Sequence, residues 1–193
     1  MTNPSATLPG FASPGVGFEQ PFEMLHACHE RVQRSLALLD RLVDHVRHHG
    51  HDADARSAAH DVLRYFDLAA PLHHEDEERH VLPRLEAGAD ADRRALAAQL
   101  RADHRRMEAL WAVLGPPLRA WAATQDEAAA PLSTDFPEPA ALAEFLAIYP
   151  RHIDLEERLA YPQARAVIEP AALDAMSADM TRRRRAPATP PQG

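Results

Sequence analysis

Cysteine is nearly missing from this 193-residue chain: Cys28 stands alone. A single thiol excludes a disulfide framework and fits a reducing cytoplasm. Glycine is scarce at seven residues, and the Val/Ile/Thr alternation of half-buried strands is absent over long stretches. No apolar run is long enough to span a bilayer. The opening MTNPSATLPGFASPGVG lacks both the basic and the apolar region of a secretion signal. Positive charge is in deficit, with a formal net charge of -8. That argues against nucleic acid as the main partner and otherwise bears on solubility and steering. Alanine and leucine are plentiful, and the length suits one domain with a full core rather than two. An all-α protein is expected. Twelve histidines are the compositional excess that this expectation leaves unexplained.

Apolar periodicity divides the chain into four long helices and a short fifth. Residues 1–20, rich in Pro, Gly, Ser and Thr, read as a disordered arm. A helix near 21–49 carries Phe22, Leu25, Val32, Leu36, Leu39, Val43 and Val46 in steps of three and four, and His29 fills the vacancy between Leu25 and Val32. Gly50 follows a His/Arg-rich last turn and should end it. A second helix, near 54–82, runs Val62, Phe66 and Ala69 into His73 and Glu77. A third, near 92–122, carries Leu96, Leu100, His104, Met107, Trp111 and Leu114, and Gly115-Pro116-Pro117 should kink or end it. Residues 124–137 read as a loop. The fourth, near 139–168, opens on Pro139 and carries Leu142, Phe145, Tyr149, His152, Glu156 and Leu159. Residues 171–181 make a short amphipathic helix, and Arg182–Arg185 lead into a basic, proline-rich tail. The expected architecture is an up-down-up-down four-helix bundle over residues 21–170.

One pattern is written twice. Pro71 to Pro83 reads PLHHEDEERHVLP and Pro150 to Pro162 reads PRHIDLEERLAYP, both obeying P-x-H-x-x-x-E-E-R-x-x-x-P. A histidine and a carboxylate four residues apart share one helix face, so the pair can grip one ion between imidazole and oxygen. His29 and His104 occupy matching places on the other two helices, with apolar residues following at the same offsets. One histidine in a core row is most often a hydrogen-bonded core residue. Four of them on four helices, with Glu77 and Glu156 on the same rows, change that reading. Packed helix axes lie roughly 8–10 Å apart, so the six side chains can converge. Buried carboxylates need partners, and a cation satisfies all six groups together; a His–Glu hydrogen-bond network is the alternative. Imidazole with carboxylate suits iron ahead of zinc or manganese. Six or seven ligands exceed one tetrahedral zinc and suit two metals about 3.5–4 Å apart, bridged by carboxylates and an oxo or hydroxo group, with positions open to a small molecule.

These residues resemble the hemerythrin-like family, the HHE cation-binding domain, over roughly residues 21–168. The resemblance rests on His29, the His73-His74-Glu77-Glu78 block ending in Pro83, His104, and His152 with Glu156-Glu157 ending in Pro162. It implies a four-helix bundle around a non-haem di-iron centre, with Glu77 and Glu156 as bridging carboxylates and His29, His73, His104 and His152 as terminal ligands. Two departures stand out. Where oxygen-carrying hemerythrins have His-x-x-x-His on the third helix, this chain has His104-x-x-x-Glu108. Where they have His-x-x-x-x-Asp on the fourth, it has His152-x-x-x-Glu156. Fewer imidazoles, with one more carboxylate if Glu108 ligates, favour the ferric state, which disfavours reversible oxygen carriage.

Around this set, Glu108 is open to three readings: ligand, a group behind the ligands, or flank residue. His74 is open as a ligand or a group behind the ligands, pairing with Glu78 or lining the site, and His26 is expected to edge the pocket. His80 lies too far along its helix for the same metal. Phe66, Met107, Trp111, Tyr149 and Tyr161 are expected as the apolar wall. Pro71 and Pro150 should kink their helices and so aim His73 and His152. The cluster His45, His48, His49 and His51 reads as compensation of a helix dipole, and Arg182–Arg185 as a solvated run. The expected function is binding or sensing of oxygen, nitric oxide or peroxide at two irons, with any sensing passed on through an unidentified protein partner. A peroxide-decomposing di-iron oxidoreductase and an iron or zinc buffer are the alternatives.

Overall fold

The computed structural model describes residues 20–123 and 134–185. The expectations for the arm before residue 20, most of the 124–137 loop and the tail after residue 185 fall outside the described residues. Within them the protein is all-helical, and no helix is long and apolar enough to cross a membrane.

The first rod is α1, Pro21–His49. Proline opens it at no cost, because the first N–H groups of a helix have no internal partner. It stops at Gly50, whose φ of 83° lies in the left-handed region and whose N–H still bonds the Val46 carbonyl. His48 and His49 each turn Nδ1 to the carbonyl four residues back, and His45 Nε2 lies 2.9 Å from Asp52. The histidine cluster is thus occupied with the helix end, as expected of that position.

The second rod comprises α2 (Ala53–Arg64), a π turn over Tyr65–Ala69, α3 (Ala70–His80) and α4 (Leu82–Glu86). Asp52 caps α2 by accepting from the Ala55 N–H at 2.8 Å. The π turn ends two residues before Pro71, with the Ala70 N–H reaching back five residues to the Tyr65 carbonyl. A proline ring collides with the carbonyl four residues earlier, and the wider turn relieves that collision. Val81 breaks the rod again ahead of Pro83.

The third rod is α5, Ala91–Ala123. Asp90 accepts from the N–H groups of Asp92 and Arg93 at its start. Contrary to the expected kink or end, helix continues through Gly115-Pro116-Pro117. Leu114, Leu118 and Trp121 are buried on both sides of the prolines, so packing holds the turns that lost hydrogen bonds.

The fourth rod is α6 (Pro139–Leu155), a π turn over Glu156–Ala160 and α7 (Tyr161–Arg165). α6 runs through Pro150 without interruption. The irregularity expected there falls instead ahead of Pro162, so proline aims no bend at His152.

Two apolar clusters divide the interior. One gathers Leu39, Val62, Phe66, Met107, Leu114, Phe145 and Tyr149; the other gathers Phe22, Leu25, Leu82, Leu85, Leu100, Tyr161, Met176 and Met180. On every rod the predicted ligands lie between residues of these two clusters. α8, Pro170–Arg185, packs on α1 and α3 and contributes Met176 and Met180 to the second cluster.

α8 is longer than the expected 171–181 because its arginines take part in the fold. Arg183 and Arg184 both pair with Asp76, which is fully buried, and the Arg184 contact is 2.6 Å. Arg183 also holds Asp179 at 2.9 Å, and Asp179 meets His80 at 3.0 Å. The solvated-run reading is therefore corrected for Arg183 and Arg184; Arg182 is exposed. Removing one member of a buried ion pair costs about 3–5 kcal/mol, because the remaining charge is left uncompensated. Asp76→Ala should lower the free energy of unfolding by roughly 3 kcal/mol, the arginines being partly exposed. Urea denaturation measures this, and an unchanged midpoint would show that the latch carries no stability.

Candidate metal centre

His29 on α1, His73 and Glu77 on α3, His104 on α5, His152 on α6 and Glu156 at the start of the second π turn all point inward. None is more than 5% exposed. Their donor atoms form two groups, His29/His73/Glu77/Glu156 and Glu77/His104/His152/Glu156, each with all donors within 4.8 Å of one another. Both carboxylates belong to both groups. Glu77 turns Oε1 to His73 Nε2 at 3.3 Å and Oε2 to His104 Nε2 at 3.4 Å. Glu156 turns Oε2 to His29 Nε2 at 3.1 Å and Oε1 to His152 Nε2 at 3.0 Å.

These approaches are close without being aligned as hydrogen bonds. Glu77 Oε2 and both Glu156 oxygens are buried with no hydrogen-bond partner. His104 Nε2 and His152 Nε2 lie 3.2 Å apart as a hydrogen-bonded pair, while carboxylate oxygens that crowd imidazole nitrogens without bonding them are aimed at common points, which is the arrangement a cation requires. The donor set is nitrogen and oxygen only; Cys28 is buried but stands outside both groups.

Behind the donors, the second glutamate of each motif copy has its own task. Glu157 Oε1 accepts from His29 Nδ1 at 2.8 Å, and Glu78 Oε1 accepts from His104 Nδ1 at 3.0 Å. In the neutral ring each bond puts the proton on Nδ1, so Nε2 is the nitrogen that faces the interior and can ligate a cation. Asp103 Oδ2 lies 3.5 Å from His152 Nδ1 and is braced by Gln99 and Arg151. Glu78 and Glu157 did not emerge as orienting residues from the sequence, and Asp103 stands near His152 without a hydrogen bond to it. The signal was there in the doubled Glu-Glu, since one carboxylate per copy sufficed for the ligand row.

The remaining candidates take other places. His74 is buried and lies flat against the His104 ring, centroids 4.2 Å apart, outside both donor groups. Together with Phe66, Met107, Trp111 and Tyr149 it lines a pocket of about 50 Å³. Glu108 is exposed at that pocket and contributes to neither donor group. His26 is exposed and shares Glu157 with His29, at 3.2 Å. Tyr161, expected in the wall, is instead beside the donors: its hydroxyl lies 3.1 Å from His29 Nε2 and donates a short bond to Glu77 Oε1.

Burial and crowding divide the titrations. His73 is driven well below the ordinary histidine value by burial and by the neighbouring His29. For His104, burial is outweighed by Glu156, Glu77 and Glu78, which raise it to about 11. For His152, burial is outweighed by Glu156 and Asp103, which raise it to about 9. Burial and the adjacent Glu156 lift Glu77 to about 6. Glu156 is held well below the usual carboxylate range, its own burial cost overcome by His152, His104 and His29.

This frame of helices with six inward His and Glu donors defines a helical cation-binding domain. Residues 20–164 match the family description hemerythrin HHE cation binding domain, and the chain belongs to that family. It is also 30% identical to an uncharacterized protein of Haemophilus influenzae over 167 residues, which cover 86% of this chain and 91% of the relative.

The raised histidines set a pH dependence for the metal-free protein. A histidine with an elevated folded value contributes its full stability below the unfolded value, about 6.5, and loses it as pH rises through the folded value. For His152 that loss runs to about 9 and for His104 to about 11. Chelator-stripped protein should therefore unfold at a lower urea concentration at pH 9 than at pH 6.5. The opposite order would contradict the charge assignment.

Proposed function

We propose that this chain is a non-haem di-iron protein that binds or senses a small oxidant or diatomic ligand: oxygen, nitric oxide or peroxide. The sharing of Glu77 and Glu156 by two donor groups carries this reading. His29 and His73 would hold one ion, His104 and His152 the other, and the two glutamates would span both. The set of four imidazoles and two carboxylates, without thiolate, favours iron over zinc. When bound, the irons would supply Lewis acidity and redox capacity. The protein's own residues keep the imidazoles in the ligating tautomer through Glu78 and Glu157, and exclude water with two apolar clusters.

The pairing of α1 with α2, α2 with α5, α5 with α6, and α1 with α6 supports an up-down-up-down bundle as the scaffold. A 50 Å³ pocket beside His74 suits a ligand of two or three atoms rather than an organic substrate. Peroxide fits it as well as oxygen does, which keeps a peroxide-decomposing oxidoreductase as the second reading. Burial of all six donors disfavours a rapidly exchanging metal buffer. The lone Cys28 supports a cytoplasmic setting.

Protein loaded with iron under anaerobic conditions should hold about two irons per chain, and Glu156→Ala should lose both, since each donor group needs that carboxylate. Absence of iron, or a preference for zinc, would overturn the reading. Spectra on adding oxygen, nitric oxide and peroxide then separate binding from turnover. Glu157→Ala leaves every donor in place but frees the His29 ring. It should weaken iron affinity about 10–100-fold, read by competition with a chelator; unaltered affinity would remove the orienting role.

A further inference from the structure

We propose that the Tyr161 hydroxyl oxygen is a further ligand of the ion held by His29, His73, Glu77 and Glu156, bound as a phenolate. The inference rests on the di-iron reading and goes beyond it, because it makes the two ions chemically different.

Tyr161 is 2% exposed, and its oxygen is directed at the donor group rather than at solvent. It lies 3.1 Å from His29 Nε2 and closer still to Glu77 Oε1. Metal–ligand bonds of roughly 2.0–2.2 Å place neighbouring ligand atoms roughly 3 Å apart around one ion. The His29 to Glu156 distance of 3.1 Å and the His73 to Glu77 distance of 3.3 Å are such edges, and the phenol oxygen continues the same polygon. Its ring runs nearly parallel to that of His29, 11° between planes, with the hydroxyl oxygen beside Nε2. Because Glu157 occupies His29 Nδ1, the nitrogen next to the phenol is the ligating one.

The local backbone explains how Tyr161 arrives there. In a regular α-helix five residues advance about 500°, leaving Tyr161 about 140° away from Glu156. The π turn bonds the Tyr161 N–H to the Glu156 carbonyl and brings the two onto one face. The other donor group has no counterpart. The position matching Tyr161 in the first motif copy is Leu82, which is buried in the apolar cluster. On binding, the phenol O–H bond gives way to an oxygen–metal bond and the proton leaves to solvent; no electron moves. An anionic oxygen of this kind favours the ferric state of that ion.

The test is iron-loaded protein oxidised in air, with iron content, visible absorption and resonance Raman recorded together. The expected result is a phenolate-to-iron absorption band whose enhanced ring vibrations shift when ring-deuterated tyrosine is incorporated. Tyr161→Phe should abolish the band for whatever iron it retains, and a band of full intensity per iron in that variant would overturn the ligand. The chain has three tyrosines, so if Tyr161→Phe does not fold, persistence of the band in both Tyr65→Phe and Tyr149→Phe assigns it to Tyr161. Loss of the band in either of those variants overturns the assignment. Two irons per chain with no tyrosine vibrations overturn the ligand and leave the di-iron reading intact, whereas protein that takes up no iron overturns both.

Discussion

Two carboxylates in a dry interior, each serving two sets of imidazoles, are the constraint on which this structure depends. A carboxylate buried without a partner is costly, and here three of the four oxygens meet imidazole nitrogens at short range without forming hydrogen bonds. Protonation relieves part of that cost, as the raised values of Glu77, His104 and His152 show. A pair of cations would relieve it throughout. The two apolar clusters are what makes the requirement stringent, because they deny the same groups any help from water.

The doubled motif acquires a division of labour from this constraint. Its first glutamate faces inward, and its second reaches across to a histidine of the other hairpin, the first and second rods forming one and the third and fourth the other: Glu78 to His104 and Glu157 to His29. Each hairpin therefore completes the site of its partner, and neither can orient its own long-helix histidine. Orientation of His29 and His104 thus requires the four rods to pack together. α8 adds a further tie, its arginines neutralising Asp76 one residue away from Glu77.

Symmetry between the halves is incomplete, and the departures are local. The π turn of the second rod precedes Pro71 and ends before the ligands, whereas that of the fourth rod contains Glu156 and carries Tyr161. The small pocket opens on the His74 side, beside His104. One side of the centre is thus bounded by a phenol and the other by an apolar pocket, so the two cannot present the same surroundings to a ligand.

Much of this was legible along the chain. Helix limits at Pro21, Gly50 and Pro139 follow from backbone chemistry that acts within one turn. The six inward donors follow from a 3.6-residue period interrupted by His and Glu, because side chains on one row must share one environment. Contacts between elements were not legible in this way. Nothing in the period predicts that Glu78 and Glu157 reach across to other helices, that Glu108 faces solvent, or that Arg183 and Arg184 turn back onto Asp76. Nor does it predict Tyr161, which a regular helix would hold off the ligand row. Periodicity reports which face of a helix is buried; only packing decides where its charges find partners and where the helix abandons its period to deliver them.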